Sequence, residues 1–141
     1  MSWEQVRLQV DPPRGWTRLE DVQPLTFAAP SGLRLRLSPM STPEELDTEP
    51  GAEPRLMWAL ARSRESLGNA VMARISPCQF GLCATLTLEV GVGRQTMFWL
   101  LASPAHVLVV SLSGKPSATE LAGAVQCVES MRLVSAARYP N

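Results

Sequence analysis

The sequence has no net charge, a single histidine and no long apolar run. Its 141 residues include thirteen basic and thirteen acidic side chains, and charged residues make up only 18% of the chain. Such a balance argues against a protein that binds nucleic acid or anionic lipid through bulk charge. No stretch approaches the roughly 18 uninterrupted apolar residues of a membrane span. We therefore expect neither a nucleic-acid partner nor a membrane span.

Cysteine is scarce, and its number is odd. Three cysteines fit reduced thiols better than a disulfide framework. The first residues, 1–5, show no basic segment followed by an apolar one, so the sequence does not predict a secretory signal. Both observations predict a cytoplasmic protein.

The residues that enzymes use for nucleophilic or phosphate chemistry are also few. His106, the single histidine, begins an apolar strand and has no nearby carboxylate in the sequence, whereas nucleophilic hydrolysis needs a base beside the nucleophile. The segment Ser113-Gly114-Lys115 lacks the first glycine of a P-loop and runs into Pro116, so we interpret it as a turn. We assign no catalytic residue and no cofactor, and we expect a protein that is not an enzyme.

A structural zinc site is the strongest metal alternative. Its four ligands would be Cys78, Cys83, Cys127 and His106. The spacing from Cys78 to Cys83 is wider than the usual Cys-x2-Cys, and Cys127 lies next to the apolar stripe of a predicted helix, so buried free thiols are the better interpretation. Whether the four side chains converge stays open. A second interpretation places Cys78 and Cys83 across a turn, near enough for a disulfide if they are oxidised.

The first half of the chain alternates short strand patterns with proline-rich turns. Val6, Leu8 and Val10 alternate with polar residues, and so do the leucines of segment 33–37. Segment 25–28 is a further short strand, and the turn at 30–32 makes it a hairpin with 33–37. Residues 38–54 contain four prolines and five acids, which predicts a long exposed loop with room for one helical turn after Thr42-Pro43.

Two helices and a β-meander are predicted for the rest of the chain. A helix over 53–67 presents an apolar stripe, widened by two further side chains (Leu56, Leu60, Ser63 and Leu67, with Met57 and Ala61). Gly68-Asn69 is predicted to end this helix. Segment 70–112 contains four strands joined by short turns at 78–82, 91–93 and 103–104. A capping box from Ser117 to Glu120 opens the second helix, and Leu133-Val134 adds a short strand. The order predicts an α+β domain over 1–135, with an antiparallel sheet of about six strands, helices packed on it and a flexible tail at 136–141.

Three segments of the sequence resemble the PsbP-like superfamily. Pro13-Arg14-Gly15-Trp16 resembles the "P-x-G-W" that opens these domains, segment 27–33 resembles their "F-x-x-P-x-G" hairpin, and 128–131 resembles the end of their closing helix. The resemblance implies an α/β/α sandwich. It also implies protein binding without catalysis, because the members include a photosystem II extrinsic subunit, a Ran-GTPase-binding factor, DcrB-type lipoproteins and chaperones of type VI secretion effectors. The acidic loop has no counterpart that we can map onto the family.

Seven residues that are predicted to lie at the surface are candidate contacts for a protein partner. Arg7, Arg34 and Arg36 are predicted to share one sheet face, either as a basic patch for an acidic partner or as a solvated outer face. Glu44, Glu45 and Asp47 lie in the acidic loop. Trp58 lies off the helical stripe near this loop, so a contact anchor and a packing role both remain open.

The sequence therefore predicts a non-catalytic protein-binding module. A chaperone or adaptor for a secreted bacterial effector comes first, because of the resemblance. The alternative is an immunity protein that blocks a cognate toxin, and a second alternative is a small metal-binding or enzymatic domain. The expected partner is another protein, and a homodimer stays open.

Overall fold

The computed structural model describes residues 6–20, 23–67, 71–91 and 94–135. These residues form nine strands, two α-helices and one 3-10 helix. The strands are β1 (Val6–Gln9), β2 (Thr17–Arg18), β3 (Leu25–Ala28), β4 (Arg34–Met40), β5 (Val71–Pro77), β6 (Leu82–Gly91), β7 (Arg94–Ala102), β8 (Val107–Ser113) and β9 (Arg132–Ser135). The helices are the 3-10 helix Glu44–Thr48, α1 (Glu53–Leu67) and α2 (Ala118–Ser130).

The main sheet has seven antiparallel strands in the order β2-β3-β4-β8-β7-β6-β5. The β3–β4 hairpin and the meander from β5 to β8 are confirmed. The prediction of about six strands was low, because β2 has only two residues, too few to show an alternating pattern. It pairs through Thr17 with Ala28 and through Arg18 with Phe27.

β1 and β9 form a separate two-stranded antiparallel sheet in which Leu8 is opposite Leu133. Both predicted strands are therefore confirmed. The two leucines pack against the same core cluster as α2, so this small sheet helps to cover one face of the main sheet.

The two faces of the main sheet carry two separate cores, one under each helix. The α2 face buries side chains such as Leu35, Trp99 and Val110 against Cys127 and Val128 of the helix. The opposite face buries a smaller cluster against α1 (Leu56, Ala59 and Leu60 of the helix; Ala84, Leu86, Leu100, Ala102 and Val107 of the sheet). Strand side chains point alternately to opposite faces, so β7 and β8, between the helices, are apolar on both faces, as a strand covered on both sides must be. The result is helix, sheet, helix in three layers.

β4 extends three residues further than predicted, to Met40. The extension contains Pro39, which is opposite Leu108 of β8. Among the described residues β3 pairs with β4 only as far as Leu37, so in this part of the chain no strand pairs with Pro39 on its other side. A proline lacks the N–H that a central strand would need and is tolerated at such an edge. The exposed loop therefore begins after Met40, not at residue 38.

α1 has the predicted bounds, but its buried stripe is rotated from the predicted one. Leu56 and Leu60 are buried as expected, and Arg55 and Ala59 complete the stripe at helical spacing. Met57 is 52% exposed, so the prediction that it widens the apolar face is wrong. One residue past Leu56, the helix has already turned by about 100° away from the sheet.

α2 begins at the predicted capping box. The Ser117 hydroxyl accepts a hydrogen bond from the Glu120 N–H at 3.1 Å, and the Ser117 N–H donates to the Glu120 carboxylate at 3.0 Å. The Ser31 hydroxyl, in the β3–β4 turn, donates to the same carboxylate. These bonds, first of all the one from the Ser117 backbone, lower the pKa of Glu120, and they join the hairpin turn to the helix.

Some predictions fall on residues outside the described ranges. They are the 136–141 tail, the helix stop at Gly68-Asn69 and the central part of the turn at 91–93. Within the described part of the chain, neither helix has the length and apolar character needed to cross a bilayer.

Candidate functional site

An apolar groove of about 240 Å³ lies beside α1, on the face of the main sheet that this helix covers only in part. Its sheet side is formed by Met40, Phe98 and Val109, all half-buried, and its helix side by Arg62 and Ser63. The groove exists because α1 packs over β6, β7 and the start of β8. Among the residues that the structure describes, neither helix covers Phe98 and Val109 completely, and both are half-buried.

Two exposed arginines lie on the same face of the main sheet as the groove. Arg36 is opposite Ser111 of β8, and Ser111 is opposite Phe98 of β7. Arg34 is opposite Ser113 at the end of β8. Arg62 lines the groove itself, so all three arginines lie on the face of the sheet that α1 covers.

Arg7 does not belong to this group. It lies in β1, which pairs with β9 and not with the main sheet. The prediction that Arg7, Arg34 and Arg36 share one sheet face is therefore wrong. The alternation in 6–10 shows that β1 is a strand, but it does not show which strand pairs with it.

Trp58 is half-buried in α1 and packs against the smaller core. The guanidinium of Arg62, one helical turn further on, lies 5.9 Å from the centre of the Trp58 ring. A cation in this position is attracted to the face of the ring. Trp58 thus has the packing role that the sequence left open, and it also holds Arg62 at the rim of the groove.

The acidic segment is more ordered than its composition indicates. Glu44, Glu45 and Asp47 belong to the 3-10 helix Glu44–Thr48, and they are exposed. The helical turn after Pro43 is therefore confirmed. However, Leu46 of this turn is 8% exposed, so the segment contributes a side chain to the interior.

A buried arginine, which the sequence reasoning missed, holds this segment in place. Arg55 is 3% exposed and donates hydrogen bonds to three backbone carbonyls, of Leu46 at 2.7 Å, Glu49 at 2.9 Å and Gly51 at 3.1 Å. Asp47 adds a long ion pair at 3.9 Å. Such bonds from a charged donor satisfy carbonyls that a loop would otherwise expose. The sequence feature that could have revealed it is a charged residue, Arg55, at helical spacing from the apolar residues that α1 buries.

The four candidate zinc ligands do not come together. No group of three or more His, Cys, Asp or Glu side chains suited to a metal ion occurs among the residues with described positions. Cys127 is buried in α2 and His106 is buried at the β7–β8 turn. Cys78 and Cys83 alone share one pocket. The predicted set of Cys78, Cys83, Cys127 and His106 therefore does not form a four-ligand zinc site.

The turn that precedes β8 explains the position of His106. The Ser103 hydroxyl accepts hydrogen bonds from the backbone N–H groups of Ala105 and His106, at 3.2 and 2.9 Å. The Ser103 N–H donates to the His106 carbonyl at 2.8 Å. The predicted turn at 103–104 is confirmed, and His106 closes it through its backbone.

Comparisons with known proteins add a fold and no function. No protein-family model and no curated protein matches the sequence. A crystal structure of a protein from Bacteroides thetaiotaomicron is similar, with a TM-score of 0.62 and 13% sequence identity over 96% of this chain. The match covers 51% of that protein, so the chain spans about half of its length. At this identity the likeness shows a shared fold alone.

Proposed function

We propose that the chain is a non-catalytic protein-binding module whose contact surface is the groove beside α1. The observation that carries the proposal is an apolar groove that contains Phe98 and Val109 and is lined by Arg62 of the helix, with Arg34 and Arg36 exposed on the same face of the sheet. Apolar side chains beside arginines are the composition that protein interfaces favour.

The apolar lining of the groove and the nearby arginines indicate what kind of protein segment would bind there. An apolar segment of another protein, with acidic side chains along its edges, would bury its apolar side in the groove and face the arginines with its carboxylates. The exposed acids Glu44, Glu45 and Asp47 lie in the separate 3-10 helix. They would repel such a segment from that part of the surface.

The resemblance to PsbP-like proteins makes an effector chaperone or adaptor the first candidate for this role. A groove that shelters an apolar helix of a client protein is the feature that such a chaperone needs. This relationship, the cytoplasmic location and the effector partner stay predictions from the sequence.

Site-specific photo-crosslinking in cells of the source organism tests the proposal. A crosslinking amino acid at Ser113, which is exposed opposite Arg34, leaves all three arginines in place. The matched control carries it at Ala122, on the exposed side of α2. We expect position 113 to join one distinct polypeptide, and position 122 not to join it.

Charge reversal locates the contact. The double variant Arg34→Glu/Arg36→Glu should lose the adduct, whereas Arg7→Glu, a single charge reversal on the separate small sheet, should keep it. Equal adducts at 113 and 122, or no adduct at 113, would contradict the proposal. An adduct to a second copy of this chain would replace the partner with a homodimer.

A further inference from the structure

The tight turn between β5 and β6 places two cysteines on the same face of the main sheet. The Cys78 N–H donates to the Gly81 carbonyl at 3.0 Å, and the Gly81 N–H donates to the Cys78 carbonyl at 3.1 Å. Further along, Ser76 is opposite Cys83. Since side chains alternate between faces, Cys78 and Cys83 are diagonal neighbours on one face.

The two thiols line a small pocket of about 170 Å³ on the α2 side. Arg74 and Glu129 line the same pocket, and the buried Trp99 closes part of it. Cys78 is half-buried, whereas Cys83 is buried. A small reagent entering from solvent therefore meets Cys78 first and Cys83 behind it.

The protonation of the pair is unequal. The Cys83 thiol, as a hydrogen-bonding neighbour, lowers the pKa of Cys78, although desolvation opposes this shift. The same neighbour interaction, followed by burial, raises the pKa of Cys83. These directions favour the thiolate at Cys78 and the thiol at Cys83, which is the division between an attacking and a resolving cysteine.

We propose that Cys78 and Cys83 form a reversible thiol–disulfide exchange site that reacts with low-molecular-weight disulfides. The Cys78 thiolate attacks one sulfur of the small disulfide, forms a mixed disulfide and releases the other half as a thiolate. The Cys83 thiol then loses its proton to solvent and attacks the Cys78 sulfur. This step forms the Cys78–Cys83 disulfide and releases the second half of the reagent. The protein loses two electrons and the Cys83 proton, and the small disulfide becomes two thiolates, which take up protons from solvent.

The register indicates that this disulfide is readily reversible. Diagonal neighbours in a regular antiparallel pair have Cα atoms about 7–8 Å apart, beyond the roughly 4.4–6.8 Å that a disulfide usually spans. The turn has to shift for the bond to close, and bonds that form under such a constraint are the easily reduced ones. The site therefore fits a switch better than a structural crosslink. It does not depend on the proposed protein-binding function.

Oxidised glutathione is the probe for a direct test on the full reduced chain near neutral pH. Intact mass and peptide mapping should show the loss of two hydrogens and a Cys78–Cys83 crosslink, both reversed by a dithiol reductant. Cys83→Ser should stop at a stable glutathione adduct on Cys78. Cys127→Ser, which removes a buried thiol outside this pocket, should behave as the wild type does.

Circular dichroism of each variant identifies a failure to fold, and the wild-type mapping stands without any variant. Three thiols that all stay free under oxidised glutathione would overturn the proposal. So would a wild-type chain that stops at the mixed disulfide, because the resolving step would then be absent.

Discussion

Replacing Arg55 by methionine should release the acidic segment from the body of the protein. Methionine fills the space of the arginine's aliphatic chain beneath the acidic segment but has no hydrogen-bond donor. The substitution therefore removes three hydrogen bonds to the carbonyls of Leu46, Glu49 and Gly51 while most of the packing is kept.

The expected loss of stability follows from these contacts. Three hydrogen bonds from a charged donor, at roughly 1.5 kcal/mol each, sum to about 4.5 kcal/mol. Part of this is offset, because the variant no longer buries a charge and the freed carbonyls reach water. Release of Leu46, which is 8% exposed, adds a loss of roughly 2 kcal/mol. We expect a net loss of about 3 kcal/mol, or a Tm lower by about 10 °C.

Urea unfolding followed by circular dichroism measures this loss, and hydrogen exchange locates it at residues 44–51. The matched control is Arg62→Met, an arginine of the same helix that lies over the Trp58 ring at 5.9 Å. It should cost less than about 1 kcal/mol. If Arg55→Met stays within about 0.5 kcal/mol of the wild type, or exchange at 44–51 is unchanged, the role given to Arg55 is wrong.

Three smaller predictions concern the turn, the cap and the thiols. Gly81 has φ +149 and an added Cβ would lie 2.3 Å from the Ala102 carbonyl oxygen, so Gly81→Ala should cost about 2 kcal/mol or more in urea unfolding. Ser117→Ala removes the α2 cap and should cost about 1 kcal/mol, measured in the same way. Alkylation of Cys78 by iodoacetamide should rise with a midpoint near pH 6, because its pKa is lowered to about 6, whereas burial raises the pKa of Cys127 to about 11. At pH 7 a much larger fraction of Cys78 than of Cys127 is thiolate, but the thiolate of the more acidic thiol is the weaker nucleophile. Taken together, these two effects should make alkylation of Cys78 about 50-fold faster than that of Cys127. Equal rates for the two thiols would contradict the assignment.

The elements that the sequence predicted well are those decided by close neighbours in the chain. The alternation in 33–37 predicts which side chains of β4 are buried, because a strand repeats every two residues. The capping box at Ser117 predicts the start of α2 within a few residues. The meander from β5 to β8 follows from short turns, which leave little choice of partner strand.

The elements that the sequence missed depend on distant parts of the chain. β1 pairs with β9, at the other end of the described chain, and no local pattern encodes that pairing. Arg55 is buried because three carbonyls of the preceding segment converge on it. The groove depends on where α1 crosses the sheet. Consequently Arg34 and Arg36 were predicted together correctly as neighbours, but the addition of Arg7 was not correct.

The affinity for the partner identified by crosslinking tests the central claim most directly. Titration calorimetry should compare the wild type, Arg34→Glu/Arg36→Glu and Arg7→Glu. We predict that the double variant raises Kd by roughly 30-fold or more, about 2 kcal/mol, while Arg7→Glu stays within about 2-fold of the wild type. A double variant that binds as tightly as the wild type, or an equal loss in Arg7→Glu, would contradict the account.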